Sequence, residues 1–166
     1  VSVAALQIAK AMGARVIVTS RHAHKLERAT SMGADLGIHT PHEDVVKSVM
    51  AFTNKRGVDV VIENVGEAVW GDAMKSLVRG GRLVTCGATS GDQPPADLRR
   101  IFIRQLQILG STLGNLQEFK DLLAFCEQHQ IRPVIDRVYP MAQVHEALDV
   151  MSRAEQFGKL ALDLRH

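Results

Sequence analysis

The sequence predicts an α/β fold, a doubly wound parallel sheet. Three observations carry that expectation. Strand-like and helix-like stretches alternate with short links along all 166 residues, as they do in successive βαβ connections. The strand-like stretches are aliphatic runs, Val58-Asp-Val-Val-Ile-Glu63 being the clearest, and such runs suit a sheet covered on both faces. Aromatic residues make up only 4% of a chain that is 46% hydrophobic, so the core must be built from Val, Ile, Leu and Ala.

Each element has its own signal. Val1, Ala4, Ala5, Ile8 and Met12 recur at helical spacing, and Gly13 is placed to end that helix. A buried strand over residues 16 to 19 follows, with Ser20 at its tip. Ala23, Leu26 and Ala29 mark the next helix face, which Gly33 closes. Leu36 to His39 reads as a short strand. Thr40-Pro41-His42-Glu43 has the form of a capping box with proline at N1, starting a helix with Val45, Val46, Val49 and Met50 inside. The strand Val58 to Glu63 ends in Asn64-Val65-Gly66. A helix with Ala73, Met74 and Leu77 then runs to Gly80-Gly81. Arg82 to Cys86 is the next strand and leads into Gly87-Ala-Thr-Ser-Gly91.

After the loop Asp92-Gln-Pro-Pro95, Asp97 can cap a helix with Leu98, Ile101, Phe102 and Leu106. Gln107 to Thr112 is a strand, followed by Leu113-Gly114. Asn115 with Glu118 gives another cap signal. The helix it starts is lined by Leu116, Phe119, Leu122, Leu123 and Cys126. Val134 to Tyr139 is a short strand, Val144, Ala147, Leu148 and Met151 mark a helix, and Lys159 to Leu164 closes the chain. In that last strand Leu160, Leu162 and Leu164 alternate, so one face should be buried.

Composition narrows the function classes. Twenty basic and 18 acidic residues give a net charge of +2, spread without blocks, so nothing suggests a nucleic-acid arm or a membrane patch. No apolar run is long enough for a membrane helix. Cys86 and Cys126 stand far apart, in neither zinc spacing nor a disulfide framework, which fits reduced thiols in a cytoplasmic protein. With no linker and no repeat, residues 1 to 166 read as a single domain. The chain opens on Val1 inside a helical pattern, as a fragment of a longer protein would.

Ligands of open α/β sheets sit beyond the carboxyl ends of the strands. Those ends carry Ser20-Arg21, then Asn64-Val65-Gly66, then Gly87-Ala88-Thr89-Ser90-Gly91, then Leu113-Gly114-Asn115. Small or polar residues occupy all four, and glycine three, which lets a ligand approach the backbone closely. The expected ligand is a dinucleotide. Where NAD-binding domains place a carboxylate against the ribose, this chain has Ser20, with Arg21 beside it and Lys25 a helical turn on. A hydroxyl and two cations suit a 2′-phosphate, so NADP is favoured and NAD stays open.

Other residues read as structural. Of the seven histidines, His22, His24, His39 and His42 fall in turns or helix starts without ligand spacing. Cys86 has no base beside it and reads as a buried structural thiol. Glu63 and Asp59 flank a core strand without a second carboxylate, and Trp70 reads as packing. No catalytic residue and no metal site is assigned.

Several motifs together resemble the cofactor domain of the medium-chain dehydrogenase/reductase family, which includes zinc-type alcohol dehydrogenases and quinone oxidoreductases. They are Val1-Ser-Val-Ala-Ala-Leu-Gln-Ile-Ala-Lys-Ala-Met-Gly-Ala14, Met32-Gly-Ala-Asp35, Gly57 to Gly66, Gly80-Gly-Arg-Leu-Val84, Leu109-Gly-Ser-Thr112 and Phe157-Gly-Lys159. The resemblance implies a Rossmann-type sheet and NAD(P)-linked hydride transfer involving an alcohol or carbonyl, a quinone or an activated alkene. It places Ser20, Arg21 and Lys25 at the ribose phosphate. Asn64, Val65 and Gly66 fall beside the adenosine and pyrophosphate; Gly87, Ala88, Thr89, Leu113 and Gly114 fall near the nicotinamide. It also implies a homodimer through the edge strand 107–112.

The family's first strand, most of its glycine-rich loop and its amino-terminal domain would precede Val1, with Ser2 where the loop's last glycine falls. Any zinc would belong to that amino-terminal domain, along with the small-molecule substrate. The chain alone is then expected to bind dinucleotide weakly and to be inactive. Rival readings are a non-catalytic nucleotide-sensing or dimerisation module and, ranked lower, a methyltransferase-like nucleotide fold, which would want a carboxylate at Ser20.

Overall fold

The computed structural model describes residues 1–165. The elements alternate: α1 (Ser2–Ala11), β1 (Ile17–Ser20), α2 (Ala23–Ser31), β2 (Leu36–His39), α3 (Val45–Phe52), β3 (Val58–Glu63), α4 (Glu67–Ser76), β4 (Leu77–Thr85), α5 (Leu98–Arg104), β5 (Gln107–Gly110), α6 (Leu116–Gln128), β6 (Ile135–Pro140), α7 (Val144–Ser152) and β7 (Lys159–Asp163). A 3₁₀ turn, Met141–Gln143, precedes α7. The chain forms two compact units, Val1–Phe119 and Lys120–His166.

Every strand pair is parallel, as the alternation demands. In the first unit β1 pairs with β2, and β3, β4 and β5 form a three-stranded sheet in that order. No ladder joins β1 to β3 among the described residues, so the expected sheet is interrupted there. Its cover is also one-sided over β3. Val61 packs with Trp70, Ala73 and Ile101 against a core of Met74, Leu77, Leu83 and Leu106. The alternate residues Val60 and Ile62 are 39% and 48% exposed.

The helix ends follow local chemistry. Gly13, at φ +78°, lets its N–H reach the Lys10 carbonyl and the Ala14 N–H reach that of Ala9, 2.9 Å each. That pair of bonds closes α1 as a Schellman motif. Asp97 caps α5 by accepting from the Arg100 N–H at 2.9 Å. Asn115 and Glu118 form a reciprocal box, Glu118 N–H to Asn115 Oδ1 at 2.9 Å and Asn115 N–H to Glu118 Oε2 at 2.7 Å.

Several expectations are corrected. The cap of α3 is Asp44, which accepts from the Lys47 N–H, not the Thr40 box. Glu43 is occupied elsewhere, accepting from the His39 N–H at 2.7 Å. α4 stops at Ser76 rather than at Gly80-Gly81, because Leu77 turns extended with ψ 143° and enters β4. Val58 pairs with Leu77 and Val60 with Arg82, so the intervening residues of β4 bulge out of register. β5 ends at Gly110, two residues short of Thr112. Leu98 and Phe102 of α5 point to solvent while Leu106 is buried.

The apolar residues Leu116, Phe119, Leu122 and Leu123 of α6 are all exposed. In the second unit β6 and β7 pair, with Tyr139, Ala147, Val150 and Phe157 buried. Leu162 and Leu164 are exposed, so the alternation at the end of the chain does not mark a buried face.

Candidate functional site

The loops at the ends of β3 and β4 are locked together by backbone bonds. The Cys86 N–H donates to the Glu63 carbonyl (3.0 Å), Ser90 N–H to Val65 O (2.7 Å) and Glu67 N–H to Gly91 O (3.1 Å). Ser90 Oγ donates to Val65 O at 2.8 Å and accepts from the Ala68 N–H at 3.0 Å. Thr89 Oγ1 adds a longer bond to Val65 O. Gly66 has φ +96°, and a Cβ there would strike the Gly91 carbonyl oxygen. Gly87 is also too close for a side chain, its would-be Cβ falling 2.8 Å from Asn64 O. Of the candidates, Asn64, Val65, Gly66, Gly87, Ala88 and Thr89 are thus held as one rim.

The residue that organises this rim reads from sequence only as a structural carboxylate flanking β3. Glu63 is only 3% exposed. Its Oε1 accepts from the Val65 N–H and, at 2.7 Å, from the Gly66 N–H. Its Oε2 lies 3.4 Å from the Thr85 hydroxyl. A carboxylate buried at the end of β3 therefore fixes the turn that follows. The available signal was an acidic residue closing an apolar strand just before Asn-x-Gly.

The amino end of α1 reaches the same rim, with the Ser2 hydroxyl donating to Asn64 Oδ1 at 3.3 Å. α1 has no side-chain cap and no acid in its first turn, so its leading N–H groups and positive dipole end are free of anionic competition.

The tip of β1 forms its own polar cluster. Ser20 Oγ accepts from the His22 N–H at 3.1 Å, which leaves the hydroxyl hydrogen to donate. The Thr40 N–H donates to Ser20 O, and His39 Nε2 bonds the Arg21 carbonyl at 3.1 Å. Arg21 is exposed and Lys25 half-buried on α2. The His22 imidazole is held below its usual pKa by burial first, then by the positive charges of Lys25, His24, Arg21 and His39. Sequence reasoning set His22 aside as an ordinary surface histidine, yet it sits among the cluster's cations.

The ends of β4 and β5 flank a shallow cleft lined by Thr85, Cys86, Gly87, Ala88, Gly110, Ser111 and Thr112. Leu113, 93% exposed, and Gly114 lie just past that lining. Cys86 is exposed, a correction to its expected burial; it ends β4 on the rim, with Sγ donating to Glu63 O. Among the described residues no three His, Cys, Asp or Glu side chains converge as a metal site requires.

The zinc-binding dehydrogenase family model matches residues 1–128. The chain belongs to that family. Within the medium-chain dehydrogenases and reductases it is the cofactor-binding part. It is 33% identical over 171 aligned residues to a zinc-type alcohol dehydrogenase-like protein of Schizosaccharomyces pombe, covering 99% of this chain and 49% of that one. An NAD-dependent alcohol dehydrogenase of Sulfolobus acidocaldarius is 31% identical, over 95% of this chain and 46% of its own. The crystal structure of an NAD-dependent alcohol dehydrogenase superposes with a TM-score of 0.90 at 36% identity, over 98% of this chain and 48% of that one. A quinone oxidoreductase of Pseudomonas syringae pv. tomato gives a TM-score of 0.83 at 28% identity, over 96% and 52%. The chain spans about half the length of the curated relatives it matches.

Proposed function

We propose that this chain is the cofactor-binding portion of an NADP-preferring oxidoreductase, acting on an alcohol or carbonyl, a quinone or an activated alkene. The carrying observation is the tip of β1. Between Ser20 and Lys25 there is no carboxylate to repel a 2′-phosphate. The Ser20 hydroxyl hydrogen, the Arg21 guanidinium and the Lys25 ammonium are the kinds of group that bind such a phosphate. The names of several relatives state NAD dependence, which makes NADH the necessary comparison.

The bound dinucleotide would carry the hydride chemistry. This chain's residues would place it. Ser20, Arg21 and Lys25 would take the ribose phosphate; the uncapped start of α1 and the Asn64-Val65-Gly66 turn would meet the pyrophosphate. Gly87, Ala88 and Thr89, with Leu113 and Gly114 beyond β5, would bound the nicotinamide end. No zinc donor set is found among the described residues; a zinc would take its donors from elsewhere in the parent protein.

The interruption between β1 and β3 would be filled by a strand from elsewhere in the parent protein, and the exposed Val60 and Ile62 would be covered by a layer packed on that sheet face. On this reading the substrate domain also lies there, and the isolated chain is inactive. β5, with Ile108 and Leu109 38% and 43% exposed, fits the edge of a homodimer. Free Cys86 and Cys126 fit a reducing compartment, and the cytoplasm is the place proposed.

The test is cofactor titration of the intact parent protein with NADPH and NADH. Removing one charge-assisted contact costs about 1.5–3 kcal/mol, so Arg21→Ala should cut the NADPH preference roughly tenfold to a hundredfold with little change for NADH. A ratio unchanged by Arg21→Ala refutes the phosphate assignment. Binding without turnover of any alcohol, carbonyl or quinone by the intact protein would favour a nucleotide-sensing module.

A further inference from the structure

The rim opposite the candidate cofactor site holds a second feature. A concave site of about 540 Å³ lies at the amino ends of β3 and β4, within the first unit. From Asp59 to Glu63 the strand advances about 13 Å, so this cavity is separate from the turn Glu63 organises. Its charged lining is five cations and one carboxylate: Lys55, Arg56, Arg79, Arg82, Arg104 and Asp59. The fold forces these cations together. Lys55, at φ +66°, turns the chain out of α3; the register slip in β4 pushes Arg79 out of the sheet; Arg104 ends α5.

Internal partners do not neutralise the cluster. Asp59 spends itself on Arg56, which donates both terminal nitrogens at 2.9 and 2.6 Å. Arg79 Nε donates to Gln105 Oε1 at 3.0 Å, and Arg104 donates one terminal nitrogen to the Leu77 carbonyl at 3.2 Å. Both acceptors are neutral. Arg104 Nε is enclosed and has no acceptor at all. A buried donor without a partner is costly, as is gathering like charges. A multivalent oxyanion relieves the second.

We propose that this cavity binds a small anion bearing two or three linked phosphate groups, recognised through those phosphates alone. The excess of cations matches the charge of a di- or triphosphate. Guanidinium groups bind phosphate oxygens in pairs. The lining has no aromatic ring, so nothing there stacks a base. The volume suits a small molecule rather than a nucleic-acid strand.

The probes are inorganic tripolyphosphate, pyrophosphate and orthophosphate, titrated calorimetrically into the full chain at low salt. Tripolyphosphate should bind one to one and saturably, with orthophosphate at least tenfold weaker. Arg79→Ala/Arg82→Ala, two exposed positions, should weaken tripolyphosphate at least tenfold. Arg21→Ala at the other rim should leave that affinity unchanged, and the double variant should leave NADPH affinity unchanged. Asp59→Asn should tighten tripolyphosphate several-fold, a gain that misfolding cannot produce. The proposal is overturned if no saturable binding occurs, if Arg21→Ala abolishes it, if Asp59→Asn fails to tighten it, or if short duplex DNA competes more tightly than tripolyphosphate.

Discussion

Removing Glu63 tests how the cofactor rim is built. Its carboxylate is 3% exposed and supplies the acceptor for the N–H groups of Val65 and Gly66. Glu63→Ala takes away both bonds and opens a small void at the end of β3. Each stranded N–H costs about 1–3 kcal/mol, giving roughly 2–6 kcal/mol for the two. Glu63→Gln keeps an oxygen of the same shape but loses the charge, so it should cost less, about 1–2 kcal/mol. At about 2–4 °C per kcal/mol for a chain of this size, the alanine variant should lower the melting temperature by on the order of 10 °C. Thermal and urea melts followed by circular dichroism measure the loss, and amide exchange at Val65 and Gly66 localises it. A Glu63→Ala loss below about 1 kcal/mol, or unchanged exchange at both amides, would show that the turn stands without the carboxylate.

Two further outcomes follow from local geometry. Asp35 accepts from Lys10 Nζ at 2.9 Å and from the Val16 N–H at 2.7 Å, and these bonds, the lysine's first, hold its carboxyl below the usual pKa. A depressed folded-state pKa means stability that is present above the unfolded carboxylate's pKa and is lost as pH falls through the folded value. Asp35→Asn should therefore flatten the acid limb of the stability profile, and an unchanged acid limb would remove Asp35 from it. Gly66→Ala combines φ +96° with a collision at the Gly91 carbonyl. It should cost more than about 2 kcal/mol and loosen the Val65–Ser90 pairing in amide exchange; a neutral substitution would mean that the two loops are not in contact.

The parts legible in the sequence are those where one residue type decides the local outcome. β3 falls on Val58–Glu63 because a β-branched run is bounded by Gly57 and the Asn64–Gly66 turn. The caps at Asp97 and Asn115 are set within four residues each. At the start of α3 the predicted Thr40–Glu43 box loses to Asp44, a cap that the sequence reading did not name. Asp44 wins because its carboxylate reaches the Lys47 N–H while Glu43 is drawn back to His39. The slip in β4 was not legible, because periodicity records faces and not how many residues a partner strand passes over. The role of Glu63 was hidden for a related reason. A lone carboxylate in an aliphatic strand looks like an exception until the backbone donors it serves are located.

The same strand shows where a pattern outruns the chain that carries it. β3 carries aliphatic residues on both faces, yet only one face is packed. Val61 closes onto Trp70 and Ala73, while Val60 and Ile62 face outward. Burying a side chain of this size is worth about 1.5–3 kcal/mol when complete, so two half-exposed residues forgo on the order of 2 kcal/mol. Folding alone would not place Val and Ile at such positions, since polar residues alternate freely on a sheet face that meets water. The two-sided pattern is the signature of an interior strand, and it sits next to the interruption between β1 and β3. The candidate cofactor rim lies at the end of this strand. A segment that paired with the free edge of β3 would extend the same sheet that carries the Glu63 turn.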